Sequence, residues 1–275
     1  MTATVSSASR HALPQIMRHA GSGSPLLWRS ALVFLFLFIV LYAGTFIDGR
    51  LFNGVSVWEK PAKFFLSLSL QMATIAFGLA LLPERERRAP AIKAASLIFL
   101  AAAIGEMIYI AFRAARGEAS HFNETTTLNW LLYLLMGLGA ATLAVTTSYF
   151  GWRILRRAPA SALSFATGWG FILAGVLALI FGGYMSGQGS HWVGGDQSDA
   201  TGLPFLHWST TGGDLRVAHF FGLHVMQALP VLGFLLRDLP ALQTRSLIWL
   251  AAVVWIGLTF AVFFQALAGR PFVAF

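Results

Sequence analysis

Long apolar runs separated by short polar segments alternate along most of the chain. Seven of these runs have about the 20 residues that a helix needs to cross the hydrocarbon core of a bilayer. They cover residues 29–47, 62–82, 92–112, 128–150, 162–184, 215–236 and 246–268. The pattern therefore predicts an all-α fold, a polytopic membrane helix bundle of about seven transmembrane helices.

The polar segments divide the chain into a tail and one domain. Residues 1–27 are rich in Ser and Ala and predict a disordered cytoplasmic tail. Residues 28–275 then form a single transmembrane domain. The loop 186–213 is long for a compact membrane protein, and such a length is typical of a lid or a binding loop.

The composition supports a membrane protein and excludes several other classes. Of the 275 residues, 57% are hydrophobic and 11% are charged, whereas soluble domains carry about 25% charged residues. The net charge of +8 comes from basic residues in short loops, so membrane topology explains it and no nucleic acid partner is expected. Because cysteine is absent, disulfides, thiolate metal sites and catalytic thiols are excluded.

The most polar of the apolar runs follows Thr211 and contains Arg216, His219, His224 and Gln227. These four side chains fall within an arc of roughly 140° on a helix, at about 100° per residue. Ionisable groups at membrane depth are costly without partners, so they indicate a functional site. We interpret both histidines as metal ligands, and the other two side chains as cofactor-binding. The alternative is a set of helix–helix hydrogen bonds that fix packing.

A second polar stripe leads into the span 62–82. Lys60, Lys63, Ser67, Gln71 and Thr74 lie within about 80° on a helix, which predicts that they face the bundle interior. We expect the first lysine to bind a cofactor and the second to be catalytic. The alternative for both lysines is that they reach the lipid head groups while their stems stay in the membrane.

Two further groups complete the predicted site. His121 and Asn123, between the third and fourth spans, offer a metal ligand and a cofactor-binding amide; the alternative is a solvated turn with a helix cap. Glu106 is predicted to be catalytic, together with His224 and Lys63. A carboxyl at its depth must be either paired or protonated with a raised pKa, and the expected partners are Arg113, Lys63 and Arg216. We expect all of these groups to converge on one cavity in the outer half of the bundle.

The loop motif Gly194–Asp199 carries two acids in a glycine-rich turn. Two carboxylates could bind calcium, but the pattern of an EF-hand loop is absent. We interpret this motif as a solvent-exposed turn.

Three motifs together resemble a family of bacterial inner-membrane proteins whose function is uncharacterised. They are Lys60-Pro-x-Lys-Phe, Arg116-Gly-x-x-Ser-His-Phe-Asn and Gly212-Gly-Asp-Leu-Arg-x-x-His-Phe-x-Gly-Leu-His-x-x-Gln, and the likeness runs from about residue 55 to residue 236. The chain departs from the family pattern at Ser56-Val-Trp58, where the family has Asn-Pro-Trp. The resemblance implies a shared site and no particular activity.

Several functions are compatible with these residues. The first is a membrane enzyme that depends on a transition metal or haem b, because neutral imidazole is the commonest metal ligand and an axial haem ligand. The second is a proton-coupled small-solute transporter or channel, since polar groups would line a path through the bundle. The third is a non-catalytic membrane subunit or sensor. The expected partners are the lipid bilayer and a small-molecule or lipid substrate.

The distribution of basic residues predicts the topology. Of the 19 Lys and Arg residues, twelve fall on the side of the N-terminus and seven on the other side. The positive-inside rule then places the N-terminus in the cytoplasm and the C-terminus in the periplasm of a bacterial inner membrane. Alkaline phosphatase fused to the C-terminus should therefore be active, and a fluorescent protein fused there should be dark. The reverse pattern would contradict the seven-span count.

Overall fold

The computed structural model of the chain describes residues 21–274. Within this range seven helices are long and apolar enough to cross a membrane, which confirms the predicted all-α bundle. The helices are α1 (Pro25–Gly44), α2 (Glu59–Leu79), the short α3 (Glu84–Arg87), α4 (Pro90–Ala115), α5 (Thr127–Arg157), α6 (Ala162–Gln188), α7 (Leu215–Leu235) and α8 (Ala241–Leu267).

The first helix begins inside the segment that was predicted to be a tail. Residues 1–20 of that segment lie outside the described residues, but α1 starts at Pro25. The side chain of Ser24 accepts a hydrogen bond from the Leu27 backbone N–H at 3.3 Å. A serine cap followed by proline at the first helical position is a strong start signal, so the sequence itself accounts for the earlier boundary.

Helix α5 is longer than its predicted span of 128–150. It has 31 residues, and at 1.5 Å per residue its length is about 46 Å. The hydrocarbon core of a bilayer is only about 30 Å thick. Helix α5 therefore extends well beyond the core, and its last turn carries Arg156 and Arg157.

Helices α1, α4, α6 and α8 end at the same end of the bundle, which we call the outer end in keeping with the predicted topology. Two small hairpins lie there. Strands β1 (Leu51–Phe52) and β2 (Val55–Ser56) pair through a turn whose residues Asn53 and Gly54 both have positive φ, as a type I′ turn requires. Strands β3 (Trp192–Val193) and β4 (Gly213–Asp214) pair as well, so the long loop returns to its own starting point.

The inner half of the bundle is sealed by large apolar side chains. Ile75 and Leu79 of α2 are fully buried, as are Phe150 of α5 and Phe171 of α6. The outward faces of the helices instead expose large apolar residues such as Ile108, which is 66% exposed. Soluble proteins rarely expose apolar surface on this scale, so these faces suit lipid.

Helices α5 and α6 approach each other at small residues. A Cβ atom added at Gly175 would lie 2.0 Å from the Oγ of Ser148 and 2.3 Å from the carbonyl oxygen of Ala144. A Cβ atom added at Gly151 would lie 2.5 Å from the carbonyl oxygen of Gly168. Small residues that let backbones approach closely are a common basis of helix association in membranes.

This contact predicts a strong effect of side-chain size. Gly175→Leu should force α5 and α6 apart and lower stability by roughly 1–3 kcal/mol or more, the usual cost of overpacking. Gly137→Leu is the matched control, because an added Cβ there meets no atom within 4 Å. The unfolding temperatures of the two purified variants are to be compared in detergent. Equal unfolding temperatures for the two variants would contradict the proposed contact.

Candidate functional site

Charged and imidazole side chains converge at the outer end of the bundle, and we call this group the outer cluster. It consists of Glu59, Lys60, Lys63, His121, His191, Asp199, His207, Asp214 and Arg216. Helices α2 and α7 supply some of these residues, and the outer loops supply the others. The predicted lysine stripe and the predicted Arg216 face therefore do meet at one place.

Arg216, in the first turn of α7, is held by two acids. Its Nε and Nη2 atoms donate to the carboxylate of Asp214 at 3.0 and 2.7 Å, and its Nη1 atom donates to Asp199 at 2.8 Å. The Nη2 atom also donates to the backbone carbonyl of His207. Asp214 is 1% exposed and caps α7 by accepting from the Arg216 backbone N–H at 3.0 Å. With its donors engaged in this way, Arg216 is better placed to fix the loops than to hold a cofactor.

Asp199 shows where the interpretation of the long loop fails. The motif Gly194–Asp199 was interpreted as a solvent-exposed turn, and Asp196 does remain exposed. The side chain of Asp199, however, is 15% exposed and pairs with Arg216. Its backbone N–H donates to the Asn53 carbonyl at 3.0 Å, so the first hairpin fixes its position. Asp199, Arg216 and Asn53 are not related by any regular spacing in the sequence. Only the folding of the loops brings them together.

The two lysines at the start of α2 differ in their surroundings. Lys63 Nζ lies 3.7 Å from Glu59 Oε2, and the same oxygen lies 3.5 Å from His207 Nε2. The side chain of Lys60 makes no ion pair and no hydrogen bond with any residue in the described range. Glu59 faces Lys63 and Asp199 pairs with Arg216, so no carboxylate of the described residues lies within ion-pair distance of the Lys60 amine.

Aromatic and imidazole rings connect α2 to the outer loops. The ring centroids are 5.5 Å apart for Phe64 and His121, 6.1 Å for His121 and Phe122, 6.3 Å for Phe122 and His191, and 3.9 Å for His191 and Trp192. The row brings two histidines beside the lysines. His191 and Trp192 were not among the predicted site residues, because a single histidine in a loop gives no periodic signal.

The loop histidines of the cluster are held neutral. Burial lowers the pKa of His121 well below its usual value of 6.5, and the nearby charge of Lys60 lowers it further. Burial lowers the pKa of His191 to about 2, with Arg216 and Lys60 adding to the effect. Burial, with Lys63 nearby, also lowers the pKa of His207, although Glu59 opposes this. A neutral imidazole presents one N–H donor and one acceptor, so these rings offer hydrogen bonds without adding positive charge.

Below the cluster, the polar stripe of α2 reaches two neighbouring helices. Gln71 Nε2 donates to Thr147 Oγ1 of α5 at 3.2 Å. Gln227 Nε2 of α7 donates to Thr74 Oγ1 at 3.1 Å. Ser67 lies one turn before Gln71 on the same stripe, on the side of the outer cluster, and is exposed. The stripe therefore runs from the outer cluster to these two hydrogen bonds.

The two histidines of α7 point to different neighbours, as their spacing predicts. A Cβ atom added at Gly182 of α6 would lie 3.3 Å from His219 Cε1. The His224 ring lies 4.0 Å from the Phe220 ring. Across residues 21–274, no three His, Asp or Glu side chains are grouped so that they could hold a metal ion. The structure thus does not assemble His121, His219 and His224 into a three-residue metal site, and a metal or haem b cofactor stays a prediction.

Glu106 does not join the outer cluster. It is 8% exposed and lies against α5, where a Cβ atom at Gly139 would be 2.2 Å from its Oε1 atom. None of the three expected ion pairs forms, because Glu106 pairs with no cation in the described range and the expected partners contact other acids. The other predicted alternative, a protonated carboxyl, stays a prediction. Arg113, an expected partner, lies two turns further out and instead reaches Glu118 at 2.9 Å.

Asn123 is buried but uses its side chain within its own turn. Its Nδ2 atom donates to the carbonyl of Ala119 at 3.1 Å, and its Oδ1 atom accepts from Thr125 Oγ1 at 2.8 Å. The cap of α5 is Thr126, whose side chain accepts from the Asn129 backbone N–H at 3.1 Å. The structure therefore gives Asn123 a role in shaping the loop that presents His121.

Comparison of the chain with protein-family models, curated proteins and solved structures finds no match. The site has to be interpreted from its own geometry.

The Arg216 network predicts a specific loss of stability. Asp214→Asn keeps the size of the side chain but leaves Arg216 with Asp199 as its only anion. The expected cost is roughly 3 kcal/mol, the lower end of the range for removing one partner of a buried pair. Asp196→Asn is the control, since Asp196 is exposed in the same loop. Thermal unfolding in detergent should show a large drop in the unfolding temperature for the first variant only. Similar unfolding temperatures for the two variants would contradict the stabilising role of the Asp214–Arg216 ion pair.

Proposed function

We propose that the protein is a membrane carrier for a small anionic molecule, and that a carboxylate or phosphate group of this molecule binds at Lys60. The observation that carries the proposal is the position of Lys60. Its amine lies without an ion-pair partner at the outer end of a polar stripe that runs along α2 to the interhelical hydrogen bonds of Gln71 and Thr74.

An unpaired cation within a membrane bundle is costly. Charged groups at membrane depth are normally paired or face water, and they mark the paths of substrates or ions. The acids of the outer cluster are already engaged, Glu59 near Lys63, and Asp199 and Asp214 with Arg216. An anionic ligand would supply the charge that the protein itself does not place beside Lys60.

The neighbours of Lys60 suit such a ligand. His121 and His191 lie close enough to Lys60 for its charge to act on both rings, and the buried Nε2 atom of His191 has no hydrogen-bond partner in the described range. Hydrogen bonds from neutral groups hold an anion without requiring a further counter-charge. Phe64 and Phe122 next to His121 provide apolar surface for the rest of the molecule.

The polar stripe favours transport over binding alone. Lys60 and Thr74 are 14 residues apart, which is about 21 Å along a helix, or more than half of the hydrocarbon core. The stripe ends at the hydrogen bonds Gln71–Thr147 and Thr74–Gln227, above the apolar seal of the inner half. A hydrogen bond of this kind contributes only about 1 kcal/mol. A path toward the inner side could therefore open if α2 shifted and these two hydrogen bonds broke.

A second candidate, a metal- or haem-dependent enzyme, is favoured by one observation. His219 Nδ1 and His191 Nε2 are buried and lack a hydrogen-bond partner among the described residues. Each nitrogen could serve as a single ligand to a metal or haem that takes its other ligands elsewhere. The absorption spectrum and metal content of the purified protein test this candidate.

Removal of the Lys60 charge should have two opposite effects. Without added anion, Lys60→Met should raise the unfolding temperature, because an uncompensated charge is lost while the apolar stem is kept. With inorganic phosphate or succinate, the wild type should be stabilised saturably. The variant should bind at least one of these probes roughly 10- to 100-fold more weakly, as loss of a charged hydrogen bond worth about 1.5–3 kcal/mol implies.

The control for this experiment is Arg157→Met, which removes one charge from an exposed position at the inner end. It should respond to anions as the wild type does. An equal anion response in Lys60→Met, or no response of the wild type to either probe, would contradict the proposal. Uptake of the bound probe into proteoliposomes then distinguishes a carrier from a binding protein.

A further inference from the structure

A separate cleft opens at the inner end of the bundle, between the start of α1 and the start of α4. It has a volume of about 610 Å³, and its polar lining includes Ser24, Arg87, Arg88, Lys93 and Ser96. We call it the inner cleft. It lies at the opposite end of the bundle from the outer cluster, and none of the residues of the proposed carrier site lines it.

A narrower apolar groove continues from the inner cleft along α1 and α4. The groove has a volume of about 410 Å³, and Leu26 lines both spaces. On α4 the lining passes from Lys93 through Leu97 and Leu100 to Ile104. These positions follow one face of the helix over 11 residues, which is about 16 Å. That distance is close to the depth of one leaflet of a hydrocarbon core about 30 Å thick.

The charge at the mouth of this space is positive. The basic residues Arg29, Arg87, Arg88 and Lys93 line the two spaces, and among residues 21–274 the one acid that lines them is Glu84. Glu84 pairs with Arg88 at 2.6 Å, whereas Arg29 and Lys93 form no ion pair with any residue between 21 and 274. The N-termini of α1 and α4 also lie here, and helix N-termini attract negative groups.

We infer that the inner cleft binds the phosphate head group of an anionic phospholipid, and that the groove between α1 and α4 holds one of its acyl chains. A basic mouth joined to an apolar channel of one-leaflet depth matches the two halves of such a lipid. Basic pockets between transmembrane helices on the cytoplasmic side are a known mode of binding for anionic head groups.

The test uses the full chain in nanodiscs. One set contains phosphatidylcholine alone, and the other contains an equimolar mixture with phosphatidylglycerol. The wild type should unfold at a higher temperature in the mixture. The triple variant Arg87→Gln, Arg88→Gln, Lys93→Gln should lose most of this rise. The matched control Arg156→Gln, Arg157→Gln, Arg245→Gln removes the same number of charges from the inner end outside the cleft, and it should keep most of the rise.

A second variant tests the apolar half without changing any charge. Ser30→Leu should fill the groove, because Ser30 lines it, and should also reduce the rise. The inference is overturned if both triple variants lose the rise equally, since general surface attraction would then explain it. It is also overturned if Ser30→Leu keeps the full rise, or if inorganic phosphate added to phosphatidylcholine nanodiscs stabilises Lys60→Met, which lacks the proposed outer anion site, as much as phosphatidylglycerol does.

Discussion

The outer half of the molecule depends on the ion pairs of one side chain, Arg216. Through Asp214 it fixes the start of α7, and through Asp199 it fixes the middle of the long loop. Asp199 in turn contacts the turn of the first hairpin, which precedes α2. Three segments distant in sequence are thus joined around one guanidinium. The same ion pairs engage both carboxylates, so neither of them forms an ion pair with Lys60.

The architecture could be predicted from the sequence because it depends on length and periodicity. An apolar run of about 20 residues spans a bilayer whatever its neighbours are. The faces of α2 and α7 were predictable for a similar reason: polar residues spaced along a helix fall on one side, and lipid cannot satisfy them. Gln71, Thr74 and Gln227 indeed bond across the bundle.

The loop half of the site could not be predicted in this way. Asp199, His191 and His207 lie in a loop without regular structure, and their positions depend on local backbone geometry. His207, for example, has a positive φ of 54°, which L-residues rarely adopt and which no simple sequence signal specifies. The predicted ion pair between Glu106 and Arg113 is absent for another reason. Arg113 lies on the same helical face, but Glu118 in the following loop is closer to its guanidinium.

The contact between Glu106 and Gly139 has a consequence for substitutions at position 139. The carboxyl occupies the space that any side chain at position 139 would need. A residue with a Cβ atom there requires the end of the Glu106 side chain to move to another position. A substitution at position 139 would therefore act first on the placement of a buried carboxyl, and only through it on the packing of α4 against α5.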